Sequence, residues 1–392
     1  MDEKSASIAS AETGKATKNR FDRMEWAGAF GDLGTLIPFV VAYITVVKVD
    51  PLGILVSFGA AMVICGFFYK TPFPVQPMKA IGAVAATQAA QTAVITPAAL
   101  HAAGLVTGAI WLILGLTGLA HVIAKLVARP VVVGIVLGLG MGFMVEGIKM
   151  MAGNWLIAAV ALLGTLLLLT NSRMPAKFAL LLLGAAYGAN QSPELLGNLS
   201  SVNIEFRLPT WQVSNITWND LVIGTLFLAL PQLPLTLGNA VIAIREENNE
   251  LFPNRPVTEK TVATSTGLMN LAGGAIGGVP MCHGAGGMAG HIAFGARTGG
   301  ALVILGVTLL ILGLFFSGSV ETLFKLFPPV ILGVILFLTG AQLALGSCDF
   351  GDNKLDRFIT LITAAFAMWN VGIAFIVGML GVYMVRKNLL KL

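Results

Sequence analysis

The stretch TPFPVQPMKA, residues 71–80, decides how this chain folds. It sets three prolines, a glutamine and a lysine in strongly apolar surroundings. Proline removes a backbone donor and clashes with the preceding helical turn, and an ammonium in hydrocarbon is costly. A span that keeps such a cluster must use it.

The surroundings define the solvent. Of 392 residues, 56% are hydrophobic and 11% charged, with mean hydropathy +0.85. Soluble domains carry about 25% charged residues, so this is an all-α polytopic membrane protein. Apolar runs bounded by Pro, Gly, Asn and charge predict spans at 26–47, 52–69, 73–91, 103–127, 130–151, 154–170 and 175–189. A second set follows at 219–244, 260–278, 280–297, 299–317, 328–346, 355–369 and 371–386. The last two, at about 15 residues or roughly 22 Å, are expected to be short or re-entrant.

With the N-terminus inside, 19 Lys and Arg fall on the cytoplasmic side and four outside, while Lys79 lies within a span. That asymmetry predicts a multi-pass protein of the cytoplasmic (plasma) membrane with both termini cytoplasmic. The net charge of +5 therefore reads as topology and not as a nucleic-acid footprint. Residues 1–24 read as a polar tail without the apolar core of a signal peptide. Cys65, Cys282 and Cys348 are too widely spaced for a disulfide framework or metal cluster. No HExxH, acidic metal-binding pair or G-x-S-x-G occurs, so neither an enzyme nor a cofactor is expected.

The chain repeats. ILGL at 113–116 recurs at 311–314, RPVVVGIVLGLG from Arg129 matches PPVILGVILFLT from Pro328, and QPM at 76–78 aligns with VPM at 279–281. The offsets, 198, 199 and 203, are nearly constant. Seven spans per repeat is an odd number, so the second repeat enters the membrane from the opposite side, as in secondary transporters built from inverted repeats. The expected units are a first repeat at 25–189, an extracytoplasmic connection at 190–218 and a second repeat at 219–392.

Pro72, Pro74 and Pro77 force extended backbone before a helix starting near Pro77 or Met78. Non-helical backbone at membrane depth survives only buried in protein or lining a cavity. A helix that begins there aims unpaired N–H groups and a positive dipole end into it. GGVPMCHGAGGMAG, 277–290, repeats the device from the other side, with Pro280 expected to restart the helix. Two interrupted half-helices with opposed N-termini at the midplane make an anion site.

Around it, Gln76 offers amide donors and Lys79 a cation, with Met281, Cys282, His283 and Gly284 on the opposite stretch. Lys79 has two readings that stay open: direct anion contact, or an ion pair with Asp32 in AFGDLGTLIPF. His283 is read either as part of the site or as a structural residue. In ALPQLPLTLGNAVIA, 229–243, Pro231 and Pro234 are expected to bend the helix, while Gln232, Thr236 and Asn239 supply neutral donors. A nucleobase would want an acid here; an oxyanion wants donors.

PFPVQPMKA (72–80), LPQLPLTLGNAVIA (230–243) and PMCHGAGGMAGHIAFGART (280–298) resemble signature stretches of the molybdate transporter family, distant relatives of the sulfate permeases. The resemblance runs from about Gly28 to the last span. It implies a seven-plus-seven inverted repeat, with four spans of each repeat in a substrate-carrying core and three in a gate that dimerises. The sequence departs from the sulfate permeases in ending at Leu392, just after the last span, so the cytoplasmic regulatory domain common among them is expected to be absent. The expected function is import of molybdate by alternating access, with tungstate a close mimic, sulfate the alternative substrate and an anion channel the alternative mechanism. The substrate-binding set is then Gln76, Pro77, Met78, Lys79, Gln232, Thr236, Asn239, Met281, Cys282, His283 and Gly284. Asp32 and Lys79 form the expected ion pair, with His283 a further candidate for proton coupling. The implied partners are the anion, the bilayer and a second copy of the chain.

Overall fold

The computed structural model describes residues 18–87, 94–119, 128–168, 204–325, 328–345 and 353–387, with isolated positions at 180, 184, 186–188, 190 and 389. The expected seventh span (175–189), His121 and Cys348 fall wholly or largely outside these residues.

The first repeat opens with α1 (Arg23–Ala29), a tight 3-10 turn at Phe30–Asp32 and α2 (Leu33–Thr45). Then come α3 (Pro51–Tyr69), the two-residue strand β1 (Gln76–Pro77), α4 (Lys79–Thr87), α5 (Pro97–Thr117), α6 (Arg129–Met151) and α7 (Trp155–Leu168). The second repeat has α8 (Trp218–Leu251), α9 (Glu259–Ala275), β2 (Met281–Cys282), α10 (Ala285–Ala293) and α11 (Gly300–Lys325). It ends with α12 (Pro329–Leu345), α13 (Lys354–Ala367) and α14 (Val371–Arg386). Helices thus occupy every expected span position that the described residues cover, and the isolated described positions of the seventh, 180, 184 and 186–188, are helical too. Among the described residues five helices are long and apolar enough to cross a bilayer alone, or six if the pair bent by 48° at Asp32 counts as one. The remainder are the short and broken elements that a half-helix plan requires.

The ends of these helices follow from local chemistry. Asp50 and Thr96 cap α3 and α5, each just ahead of a proline in the first turn, where a missing N–H removes no helical bond. The prolines of α8 act differently from the expected bend. The helix stays continuous from Trp218 to Leu251 but widens to π turns at Gly224–Ala229 and Gly238–Ala243. Pro231 has no N–H to give the preceding turn, so Leu230 bonds back to Thr225 and the ladder slips by one residue.

Packing joins the repeats instead of separating them. α3 lies on α11 with Gly59 against Gly306 and Gly66 against Gly299. α6 lies on its repeat equivalent α12 with Gly140 against Gly340 and Gly147 against Gly333. A Cβ at Gly59, Gly140 or Gly147 would come within 2.8 Å of a carbonyl oxygen across the contact. Small residues are what lets helix backbones approach in a lipid environment that offers no hydrophobic drive to association.

Two buried acids tie the repeats in a crossed fashion. Glu25 on α1, fully buried, accepts from the backbone N–H of Arg297, Thr298 and Ala301 at the start of α11. Asp220 on α8 accepts from the Thr96 hydroxyl at the start of α5 at 2.6 Å. Each repeat's opening helix holds the fourth span of the other.

Candidate functional site

The site is built where the two extended stretches meet. β1 and β2 pair antiparallel, Gln76 opposite Cys282 and Pro77 opposite Met281, and Met78 N–H donates to Pro280 C=O at 2.9 Å. The half-helices α4 and α10 leave this short ladder from their N-terminal ends. Pro77 belongs to the ladder, and α4 begins two residues on at Lys79. Pro280 does not restart its helix: β2 follows it, and Gly284 is the N-cap of α10. A proline-led extended segment needs partners for its remaining polar groups, and the second strand supplies them.

The two N-termini are not equivalent. Gln232 Oε1 accepts from the N–H groups of Ala80 and Ile81 at 2.8 and 3.3 Å, while Gln232 Nε2 donates to the Thr236 hydroxyl at 2.9 Å. α4 is therefore capped by a side chain of α8. The first turn of α10 has no side-chain cap, and Ala285 and Gly286 are at least partly exposed. Lys79 and Asn239, both half-buried, stand over it: a Cβ on Gly286 would lie 3.9 Å from Lys79 Nζ, and one on Gly284 3.2 Å from Asn239 Nδ2. A positive dipole end, an ammonium and an amide converge on one open turn.

The expected ion pair between Asp32 and Lys79 is not formed. Both oxygens of the buried Asp32 carboxylate accept from Gln76 Nε2, at 2.7 and 2.8 Å, and Lys79 has no ion-pair partner among the described residues. The reason is reach: Gln76, at the ladder, lies directly against the turn that carries Asp32, whereas Lys79 is already on the helix. Gln76 accordingly does not offer its donors to the site. Its carbonyl Oε1, buried and without a hydrogen-bond partner, is the atom nearest to where a Gly284 side chain would point.

His283 also differs from the expectation that it lines the site, and fits the structural alternative. Its Nδ1 contacts Pro74 C=O at 2.8 Å, and because a carbonyl only accepts, Nδ1 carries the proton. Nε2 then accepts from the Ser265 hydroxyl at 2.8 Å, which in turn receives the Tyr69 hydroxyl at 2.6 Å. Tyr69 stacks on Phe73 with ring centroids 3.9 Å apart. Both ring nitrogens are used, tying the Pro74 segment ahead of β1 to α9 and α3.

Of the remaining expected residues, Met281 and Cys282 form β2 and Met78 follows β1, and all three side chains are buried. Sequence reasoning missed Asn270. Its Oδ1 accepts from Met281 N–H at 2.8 Å and its Nδ2 donates to Met281 C=O at 2.6 Å, so one side chain acts as a third strand beside β2. The signal was present: Asn270 is the one polar side chain in GLMNLAGGA, 267–275.

Comparisons place this geometry among known proteins. The sequence profile of the family described as "Molybdate transporter of MFS superfamily" matches residues 24–143 and 224–343, one block in each repeat. Molybdate transporter 2 of Arabidopsis thaliana is 34% identical over 88% of this chain and 82% of its own length. Molybdate transporter 1 of the same plant is 31% identical over 90% and 85%. Among solved structures, SLC26A9 superposes with a TM-score of 0.67 at 11% identity; the match covers 93% of this chain but only 65% of that one, just under two thirds. The transmembrane domain of the cyanobacterial bicarbonate transporter BicA gives 0.57 at 16%, covering 93% and 98%. At such identities these structures establish the fold alone, the seven-plus-seven inverted repeat.

Proposed function

The chain belongs to the molybdate transporter family, and from that premise we propose that it is a secondary transporter carrying molybdate inward by alternating access. The observation that carries the reading is the asymmetry of the half-helices. α4 is closed by Gln232, whereas the first turn of α10 is open beneath Lys79 and Asn239. An oxyanion seated there receives backbone N–H groups of Ala285 and Gly286, an ammonium and a neutral amide, a donor-rich set.

This narrows the set of contacts. The anion is held at one dipole, that of α10, while α4 contributes Lys79 and the ladder fixes the distance between the two. Gln232 and Thr236 act by holding α4, and His283 by holding β1. The Lys and Arg asymmetry orients both termini towards the cytoplasm, so transport is inward when the open turn faces out first.

Uptake of labelled molybdate into proteoliposomes, with tungstate and sulfate as unlabelled rivals, tests the assignment. Tungstate, nearly the size of molybdate, is expected to compete strongly and sulfate weakly. If sulfate competes as well as tungstate, the substrate is sulfate. Uptake that saturates and shows counter-exchange separates a carrier from a channel.

A further inference from the structure

Gln76 stands between a carboxylate and the open turn, and its two ends have opposite hydrogen-bonding character. With Asp32 ionised, only the NH2 end of the amide can face it, because carbonyl against carboxylate sets acceptor against acceptor. The 2.7 and 2.8 Å contacts to both Asp32 oxygens are that arrangement. The consequence falls on the other end. Gln76 Oε1 is left buried, unpartnered and aimed at Gly284, the N-cap of α10. In this state the site presents an acceptor to an incoming oxyanion, which is itself all acceptors.

Resting on the oxyanion reading of the site, we propose that the Asp32–Gln76 pair is a proton-operated switch that couples one proton to each anion. When Asp32 takes up a proton it becomes a donor. The Gln76 amide turns over, its carbonyl accepts the Asp32 O–H, and its NH2 group faces the first turn of α10 as an additional donor for the anion. Anion and proton each favour the other's bound state, as linkage requires. One proton enters at the Asp32 carboxylate from the side that supplies the anion and leaves to the side that receives it. Each dianion therefore crosses with one compensating positive charge.

The charged and titratable groups on the elements packed against the Asp32 turn are few. Lys79 on α4 serves the anion, and Cys282 and Tyr43 are buried nearby. His291 on α10 is engaged through Nδ1 with Gly28 C=O, and Glu25 on α1 with the backbone of α11. Asp32 is the one carboxylate in contact with Gln76 among the described residues.

The test is molybdate binding to the purified full-length protein by calorimetry across about pH 6 to 8, in buffers of different ionisation enthalpy. The bound state holds the extra proton, so affinity is gained as pH falls and lost as it rises. The apparent Kd should tighten by up to about tenfold per pH unit on acidification, with about one proton taken up per molybdate. In Asp32→Asn the pH dependence and the proton uptake should vanish together. Flat affinity and no proton uptake in the unmodified protein overturn the switch. Undiminished pH dependence in Asp32→Asn also overturns it, by placing the proton on the anion itself. If Asp32→Asn does not fold, Gln76→Leu takes its place: with no amide to turn over, the proton uptake coupled to molybdate should be lost, and its persistence overturns the switch. Absence of any molybdate binding to that protein defeats the oxyanion reading and the switch with it, whereas pH-independent binding defeats the switch alone.

Discussion

The side-chain oxygen of Gln232 lies 2.8 Å from the backbone nitrogen of Ala80, so a residue of the second repeat closes a half-helix of the first. The same oxygen also receives Ile81 N–H. Gln232→Ala leaves two buried donors open and should lower stability by about 1–2 kcal/mol, the usual worth of a helix cap. Gln232→Glu keeps the accepting oxygen and should retain more of it. Melting temperatures in detergent read the difference. Identical melting of Gln232→Ala and the unmodified protein would show that the cap does nothing.

Lys79 is the cation over the open turn of α10. Lys79→Met should weaken molybdate by about 1.5–3 kcal/mol, roughly tenfold to 150-fold, as expected for loss of a charge-assisted contact. Sulfate should lose a similar factor, because both anions carry the same charge. Asn239→Ala should cost less, about 0.5–1.5 kcal/mol, and should affect the larger anion more. Competition for labelled molybdate uptake measures all three. A Lys79→Met protein with unchanged affinity would remove Lys79 from the site.

Asn270 holds Met281 by both of its backbone groups. Asn270→Ala leaves a buried N–H and a buried C=O without partners, costing about 2–4 kcal/mol. Asn270→Asp keeps the acceptor and loses the donor, so it should fall between. The ladder carries α10, so molybdate affinity should fall in the same order as thermal stability. Affinity that stays constant while stability drops would separate the ladder from the site.

Gly287 leaves room for the Asp32–Gln76 pair. A Cβ there would sit 2.7 Å from Gln76 Nε2 and Pro74 Cβ, and 2.9 Å from Asp32 Oδ2. Gly287→Ala must displace at least one of these groups, and uptake should fall severalfold or more while the helix itself gains a better helix former. Gly142, with open space around it, is the matched control, and Gly142→Ala should transport normally. Equal uptake by the two variants would argue that the pair tolerates being moved.

What the sequence disclosed was governed by period and punctuation. Span positions, the inverted repeat and the break at TPFPVQPMKA are all written locally, in apolar runs and in prolines whose backbone consequences do not depend on context. The short last spans emerged as expected, 14 and 16 residues long. The identity of the donors was not legible. Whether Gln76 faces Asp32 or the anion, and whether Gln232 faces a helix end or a cavity, depends on which neighbours arrive from 44 and 152 residues away. An amide can serve all these roles, so residue type alone could not choose among them. Asn270 and Glu25 escaped notice for the same reason: their partners are backbone groups, which leave no mark in composition.

The crossed acids bear on how the molecule is made. Glu25 enters the membrane environment long before α11 exists, since the backbone N–H groups that donate to its carboxylate lie 272 to 276 residues downstream. Until they arrive, a carboxylate destined for complete burial must stay near water. The first half of the chain is thus held from settling until the second half is synthesised, and α11 in turn inserts onto an end-cap already waiting for it. A gene split between the repeats should yield two fragments that accumulate only when made together.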